Sequence, residues 1–172
     1  MRACLRESYS ELSETCQTRL RERMEARSNR DGRGEPRGAA TATQAPPQQT
    51  MAYGSDPLQA LDLWVPQDRT PAPLVLFVHG GGWQRGSKRN AMGRAMPGHM
   101  LAQGYAFASI DYRLVPDATV EQQAADVAAA LAHLLERADA LGIDRTRVVL
   151  TGHSAGAHLV ALVGTDEQYL RA

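Results

Sequence analysis

The sequence predicts an α/β fold, a mostly parallel sheet flanked by helices, on three observations. Continuous apolar runs occur at residues 74–78, 105–110 and 148–150, each bounded by turn residues. Helical periodicity fills the stretches between and after them. The order strand, helix, strand, helix, strand, helix calls for right-handed crossovers and a parallel sheet with helices on both faces.

Composition splits the chain near residue 50. Over residues 1–27, Leu5, Tyr9, Leu12, Cys16, Leu20 and Met24 recur every three or four positions between charges, the spacing of one narrow apolar stripe on a helix. Such a helix could dock on a neighbour; a solvated arm is the alternative. Residues 28–50 are rich in Gly, Pro, Ala, Thr and Gln and nearly lack large apolar side chains, so they are expected to form a flexible linker. The ordered domain is expected over residues 51–172.

Within it, residues 58–65 (LQALDLWV) alternate apolar and polar side chains ahead of Pro66, as a half-exposed edge strand does. The run at 74–78 (LVLFV) enters after Pro73 and leaves at three glycines, and reads as a central strand covered on both faces. A helix over 91–103 leads through Gly104 into a second buried strand at 105–110 (YAFASI). In the longest helix Val127, Leu131, Leu134, Leu135, Ala138 and Leu141 share a face; Thr119 and Gln122 can form a capping box, and Gly142 ends it. The run at 148–150 (VVL) reads as another buried strand, and TGHSAGAHLVALVG turns straight from it into a helix.

The chain's 172 residues suffice for one domain, on the usual prior of roughly 100–200 residues each. Nineteen basic residues balance nineteen acidic ones, which gives no electrostatic case for nucleic acid or an anionic membrane. No apolar run approaches the roughly 18 residues of a membrane span, and the N-terminus lacks the apolar core of a secretory signal. These features predict a cytoplasmic protein without nucleic-acid or membrane partners. Cys4 and Cys16 read as free thiols, so neither a disulfide framework nor a zinc site is indicated, and no metal or cofactor is called for.

Three unusual sequences each follow the carboxyl end of a different predicted strand: His79-Gly80-Gly81-Gly82-Trp83, Asp111-Tyr112-Arg113 and Gly152-His153-Ser154-Ala155-Gly156. In open parallel sheets that edge is where ligands bind, so the three point to one site. Gly152-x-Ser154-x-Gly156 between strand and helix has the form of a nucleophile elbow, a sharp turn that lifts the serine hydroxyl clear of the sheet. The glycines suit it because larger side chains would collide across the turn; an ordinary Gly-rich helix start is the alternative. When a serine attacks a carbonyl, the oxygen gains negative charge that fixed main-chain N–H groups stabilise. Gly80 to Gly82 can bring such groups close to a substrate without side-chain obstruction. The loop has neither the Gly-Lys-Ser/Thr ending of a phosphate loop nor the register of a dinucleotide loop.

On HGGGW at 79–83, DYRLVPD at 111–117 and GHSAGAHL at 152–159, residues 51–172 resemble the N-terminal part of an α/β-hydrolase. They are most similar to the hormone-sensitive-lipase-like carboxylesterases and to the related arylformamidases and feruloyl or acetyl-xylan esterases. The first fifty residues take no part in the likeness. The resemblance implies Ser154 as acyl-accepting nucleophile and the N–H groups of Gly81, Gly82 and Ala155 as oxyanion hole. It implies that His79 braces the glycine loop, with Gly80, Gly152 and Gly156 in support. Trp83 would line the acyl or alcohol pocket, or equally serve as a packing lid. The DYR segment would position the neighbouring loops, with Asp111 structural rather than a catalytic acid. His153 would turn toward the core, and His158, one turn beyond Ser154, would have a structural role rather than act as base. A small-molecule carboxylic ester is the implied substrate; the alternatives are an N-formyl aryl amide or a non-catalytic remnant that binds a ligand or partner.

The sequence departs from that family in one respect. In this fold the order along the chain is Ser, then Asp or Glu, then His. Asp166 and Glu167 lie at the far end of the helix that follows Ser154, and no histidine follows them. The expectation is a truncated hydrolase, impaired or inactive on its own because triad members act as a unit. The strand at 148–150 is then expected to lack a partner on one side, leaving an apolar edge open to aggregation or self-association.

Overall fold

The computed structural model describes residues 46–170 together with Thr18, which is helical and exposed. The chain divides into two units, Met1–Ala42 and Thr43–Ala172. Thr18 apart, the expected helix at 1–27 and the linker up to residue 45 lie outside the described residues.

Among the described residues of the second unit, five strands form one mixed sheet: β1 (Gln49–Ala52), β2 (Ala60–Trp64), β3 (Ala72–Val78), β4 (Ala106–Ile110) and β5 (Ile143–Gly152), in the order β1-β2-β4-β3-β5. The pairs β4–β3 and β3–β5 are parallel, whereas β1–β2 and β2–β4 are antiparallel. The helices are α1 (Ala91–Ala102), α2 (Val120–Glu136), the short α3 (Ala138–Leu141) and α4 (Ala155–Thr165), followed by a 3₁₀ turn at Glu167–Tyr169.

Successive side chains of a strand point to opposite faces, so a strand covered on both sides must be apolar throughout. In β3, Leu74, Leu76 and Val78 pack with Val127, Leu131 and Leu134 of α2 and Leu159 and Val163 of α4. Val75 and Phe77 point the other way and join Trp64 and Phe107 beneath Met96, Met100 and Leu101 of α1. Phe107 sits at the centre of that smaller cluster, 5.9 Å from the Trp64 ring and 6.3 Å from Phe77.

The predicted capping box is present: Thr119 Oγ1 accepts from Gln122 N and Gln122 Oε1 accepts from Thr119 N, at 3.3 and 2.9 Å. The helix it starts is interrupted at Arg137 before the single turn of α3, which Gly142 ends in the left-handed conformation at φ 69°.

Three expectations need correction. β2 is an interior strand, flanked by β1 and β4, because Gln49 and Thr50 of the expected linker form the start of β1 and take the edge. Its polar Asp62 is fully buried as a result, accepting from Thr50 Oγ1 at 2.8 Å and from Arg89 Nε at 2.8 Å. The run at 148–150 belongs to a longer strand and is not buried on both sides. β5 has β3 as its neighbour in the sheet, and Val149 is 53% exposed. The exposed edge anticipated for this strand is therefore found, among the described residues.

Behind the ends of β2 and β4, Asp126 of α2 is buried and binds Arg113 through Nη2–Oδ1 at 2.7 Å and Nε–Oδ2 at 2.9 Å, while Gln59 Nε2 donates to it at 2.8 Å. Removing one partner of such a pair leaves the other charge without compensation. Asp126→Ala is expected to lower the unfolding free energy by about 3 kcal/mol, the low end for a broken buried pair because Arg113 keeps some contact with water. Urea denaturation of the two proteins measures it.

Candidate active site

The carboxyl ends of β3, β4 and β5 bring the three motifs to one rim of the sheet. At the end of β5 the chain reverses into α4 within two residues, and Ser154 takes φ 54° and ψ −117°. A non-glycine residue at positive φ is uncommon and stores strain. Here the close approach of two glycines leaves the turn no room to relax. A Cβ on Gly152 would lie 2.5 Å from the carbonyl carbon of Gly156, and one on Gly156 would lie 2.5 Å from His79 O and closer still to Val78 O. The turn is tied down by His153 N donating to Val78 O at 3.1 Å and Gly156 N to His153 O at 2.9 Å. Ser154 is exposed at its tip, while Ala155 and Gly156 are buried behind it.

The glycine loop that follows β3 lies directly against this turn. A Cβ on Gly80 would stand 2.5 Å from His153 O and 3.1 Å from Ser154 Cβ. Beyond it the backbone passes through three consecutive residues at positive φ: Gly81 at 144°, Gly82 at 63° and Trp83 at 62°. Space beside Gly82 is open, whereas a side chain on Gly81 would run into the main chain of Arg85. Among the described residues no main-chain acceptor takes the N–H groups of Gly81, Gly82 or Ala155.

The DYRLVPD segment braces the loop from below. Tyr112 is fully buried, donates its hydroxyl to His79 O at 2.9 Å, and stacks on the His79 ring at 4.4 Å; burial pushes its phenol up to about 12. His79 Nδ1 lies 2.9 Å from Gly80 O. That oxygen can only accept, so Nδ1 carries the proton, and Nε2 faces Asp111 Oδ1 at 3.7 Å. Asp111 binds Lys88 Nζ at 2.7 Å and also accepts from Lys88 N, which holds the far end of the same loop. Asp111 thus ties the loop's Lys88 to the end of β4. Val115 N and Gln123 Nε2 both donate to Trp83 O at 2.9 Å.

Trp83 is half-buried and meets the ring of the exposed His158 edge-on at 5.6 Å; its Nε1 has no partner among the described residues. His153 corrects an expectation: it is exposed rather than turned toward the core, because the glycine loop occupies the space inside the turn and the ring lies against Gly80. Ser154 Oγ makes no hydrogen bond to a histidine or carboxylate among the described residues, and Asp166 caps the 3₁₀ turn at the other end of α4. Lys88, Gln123 and Asp126 also support the site without belonging to any of the three motifs. The latter two carried a signal, since they are polar residues next to the apolar stripe of α2 at Val127, Ala130 and Leu134, where a solvated face would not be expected.

A family model described as BD-FAE matches residues 61–171. The chain belongs to the BD-FAE family. Among its relatives, esterase LipC of Mycobacterium tuberculosis is 41% identical over 124 residues, which cover 69% of this chain and 30% of LipC. Kynurenine formamidase of Drosophila melanogaster is 33% identical over 114 residues, 66% of this chain and 36% of that enzyme. The apo form of Thermogutta terrifontis esterase 2 is similar in structure with a TM-score of 0.60 and 29% identity, covering 66% of this chain and 44% of that one. This BD-FAE chain therefore carries part of an α/β-hydrolase fold, and spans about a third of the length of these two curated relatives. Among the described residues no helix is long and apolar enough to cross a membrane.

Burial lowers the pKa of His79, against the opposing effects of its hydrogen bond to Gly80 and the charge of Asp111. An unfolded chain takes up a proton at this histidine below about pH 6.5, whereas the folded chain resists it. Stability is therefore complete above that value and is expected to fall as pH drops from about 6.5 toward 5. Thermal melting across this range should show the loss, and His79→Asn should flatten it, with the remaining slope due to His133, whose pKa partial burial also lowers.

Proposed function

We propose that Ser154 is the acyl-accepting nucleophile of a hydrolase for small carboxylic esters, with the N–H groups of Gly81, Gly82 and Ala155 as its oxyanion hole. The observation that carries this is the left-handed Ser154 at a strand-to-helix turn, exposed, with the glycine loop in contact behind it. The similarity to LipC and to Thermogutta terrifontis esterase 2 supports an ester as substrate. Ser154 Oγ attacks the substrate carbonyl, a base takes its proton, and the carbonyl oxygen becomes an oxyanion held by the three amides. Collapse of that intermediate expels the alcohol, which receives the proton, and water then releases the acid from the acyl-serine. His79 stays out of the proton traffic; its Nδ1–H is committed to Gly80 O, which sets the plane of the peptide leading into Gly81. Hydrolysis of an N-formyl aryl amide is the second reading, favoured by the formamidase relatives. The same serine and amides serve either carbonyl, and relative rates on an aryl ester and an N-formyl anilide separate the two.

This assignment gives the roles of base and orienting acid to groups other than those of residues 46–170. The 172-residue chain is therefore expected to hydrolyse 4-nitrophenyl acetate slowly, losing all but the roughly 10³–10⁴-fold that an oxyanion hole and binding supply alone. Imidazole added to solution can act as an external base. It is expected to raise the rate beyond free imidazole's own hydrolysis of the ester, and Ser154→Ala should abolish that increment. An equal increment in both proteins would contradict the nucleophile assignment, and rapid hydrolysis without imidazole would contradict the assignment of the base.

A further inference from the structure

Gln123 is fully buried on α2, and its Nε2 donates to the main-chain oxygen of Trp83 at 2.9 Å. Its other polar atom, Oε1, has no hydrogen-bond partner among the described residues. Packing alone would be better served here by leucine or methionine, which bring no orphaned acceptor into the interior. The bond that Gln123 does make falls on a residue that needs holding. Trp83 is a non-glycine at φ 62°, the last of three consecutive residues at positive φ. Backbone of that kind persists only where its surroundings over-determine it. At its start the loop is fixed by His79, whose carbonyl accepts from Tyr112 and whose ring holds Gly80 O. At its end the hold is on Trp83 O, by Gln123 Nε2 from α2 and Val115 N from the DYRLVPD segment. Between the two anchors lie the amides of Gly81 and Gly82, which no main-chain acceptor takes among the described residues.

We propose that Gln123 is a positioning residue, which by anchoring Trp83 O keeps the Gly81 and Gly82 amides aimed at the carbonyl oxygen of a bound ester. The proposal rests on the assignment of those amides as the oxyanion hole. Gln123 touches neither substrate nor Ser154 in this role; it acts through the loop. The orphaned Oε1 is the cost of having an amide donor at that depth in the core.

The test uses the full chain and two variants, Gln123→Met and Gln123→Leu, which keep the volume and remove the hydrogen bond. Backbone ¹⁵N relaxation reports the loop directly. The order parameters of the Gly82 and Trp83 amides are expected to fall from near ~0.85 toward ~0.6 or below, while the thermal midpoint stays close to that of the parent. In imidazole-assisted hydrolysis of 4-nitrophenyl acetate, kcat should drop about tenfold or more with KM unchanged, the pattern of an interaction realised in the transition state. A folded variant with parent-like order at Gly82 and Trp83 would overturn the proposal, as would failure of both variants to fold, which would mark Gln123 as a core-packing residue. If the parent shows no hydrolysis dependent on Ser154, the esterase assignment fails by itself, and the order parameters still decide whether Gln123 holds the loop.

Discussion

Everything at the rim of this sheet depends on the contact between two stretches of backbone, the end of β3 and the turn at Ser154. Gly156 sits against the carbonyls of Val78 and His79, and Gly80 against His153 O and Ser154 Cβ, at separations that leave no room for a side chain. That contact forces Ser154 into a conformation that an L-residue otherwise avoids, and it also brings the loop of free amides beside the serine. Ser154 and the glycine-loop amides proposed as its oxyanion donors are in this sense one structural unit. The parallel pairing of β3 with β5, which aligns Val78 with Gly152, sets it up, and Leu159 and Val163 of α4 hold it from below.

The loop could not keep three successive positive-φ residues on its own account, and the surrounding polar contacts are arranged to prevent its relaxation. Four residues of DYRLVPD hold the glycine loop and α2: Asp111 takes Lys88, Tyr112 takes His79 O and Val115 takes Trp83 O, all on the loop, while Arg113 takes Asp126 of α2. A segment that contributes no reacting group thus links the glycine loop to α2. This is a physical reason for so specific a sequence at the end of a strand, and it agrees with the positioning role that the family resemblance implied.

Much of this was legible in the chain itself. The runs LVLFV and YAFASI could only be strands covered twice, the Thr119–Gln122 box marked the start of α2 to the residue, and the glycines around Ser154 and after His79 announced close backbone approach. What escaped depended on partners distant in sequence. QTMA has no strand pattern of its own and becomes β1 because β2 offers it an edge, which in turn buries Asp62. β5 extends back through the polar stretch after Ile143 because β3 continues to pair with it and Asp144 binds Arg147 and Thr146 locally. Gln123 and Asp126 lie beside the apolar stripe of α2, but their acceptor and donor, Trp83 O and Arg113, come from segments distant in the sequence and meet them only in the fold.

The central claim is that Ser154 Oγ and the amides of Gly81, Gly82 and Ala155 converge on one point. An arylboronic acid tests this without a positioned general base, because addition of the serine oxygen to boron, with the hydroxyl proton released to the buffer, is an equilibrium that the same amides stabilise by binding the anionic tetrahedral boronate. Titration of the chain with phenylboronic acid, followed by ¹¹B NMR and by the amide resonances of those three residues, reads both partners at once. A tetrahedral boron signal together with shifts at Gly81, Gly82 and Ala155 is expected, all lost in Ser154→Ala. Boron that stays trigonal, or a tetrahedral adduct that leaves the three amides unmoved, would contradict it.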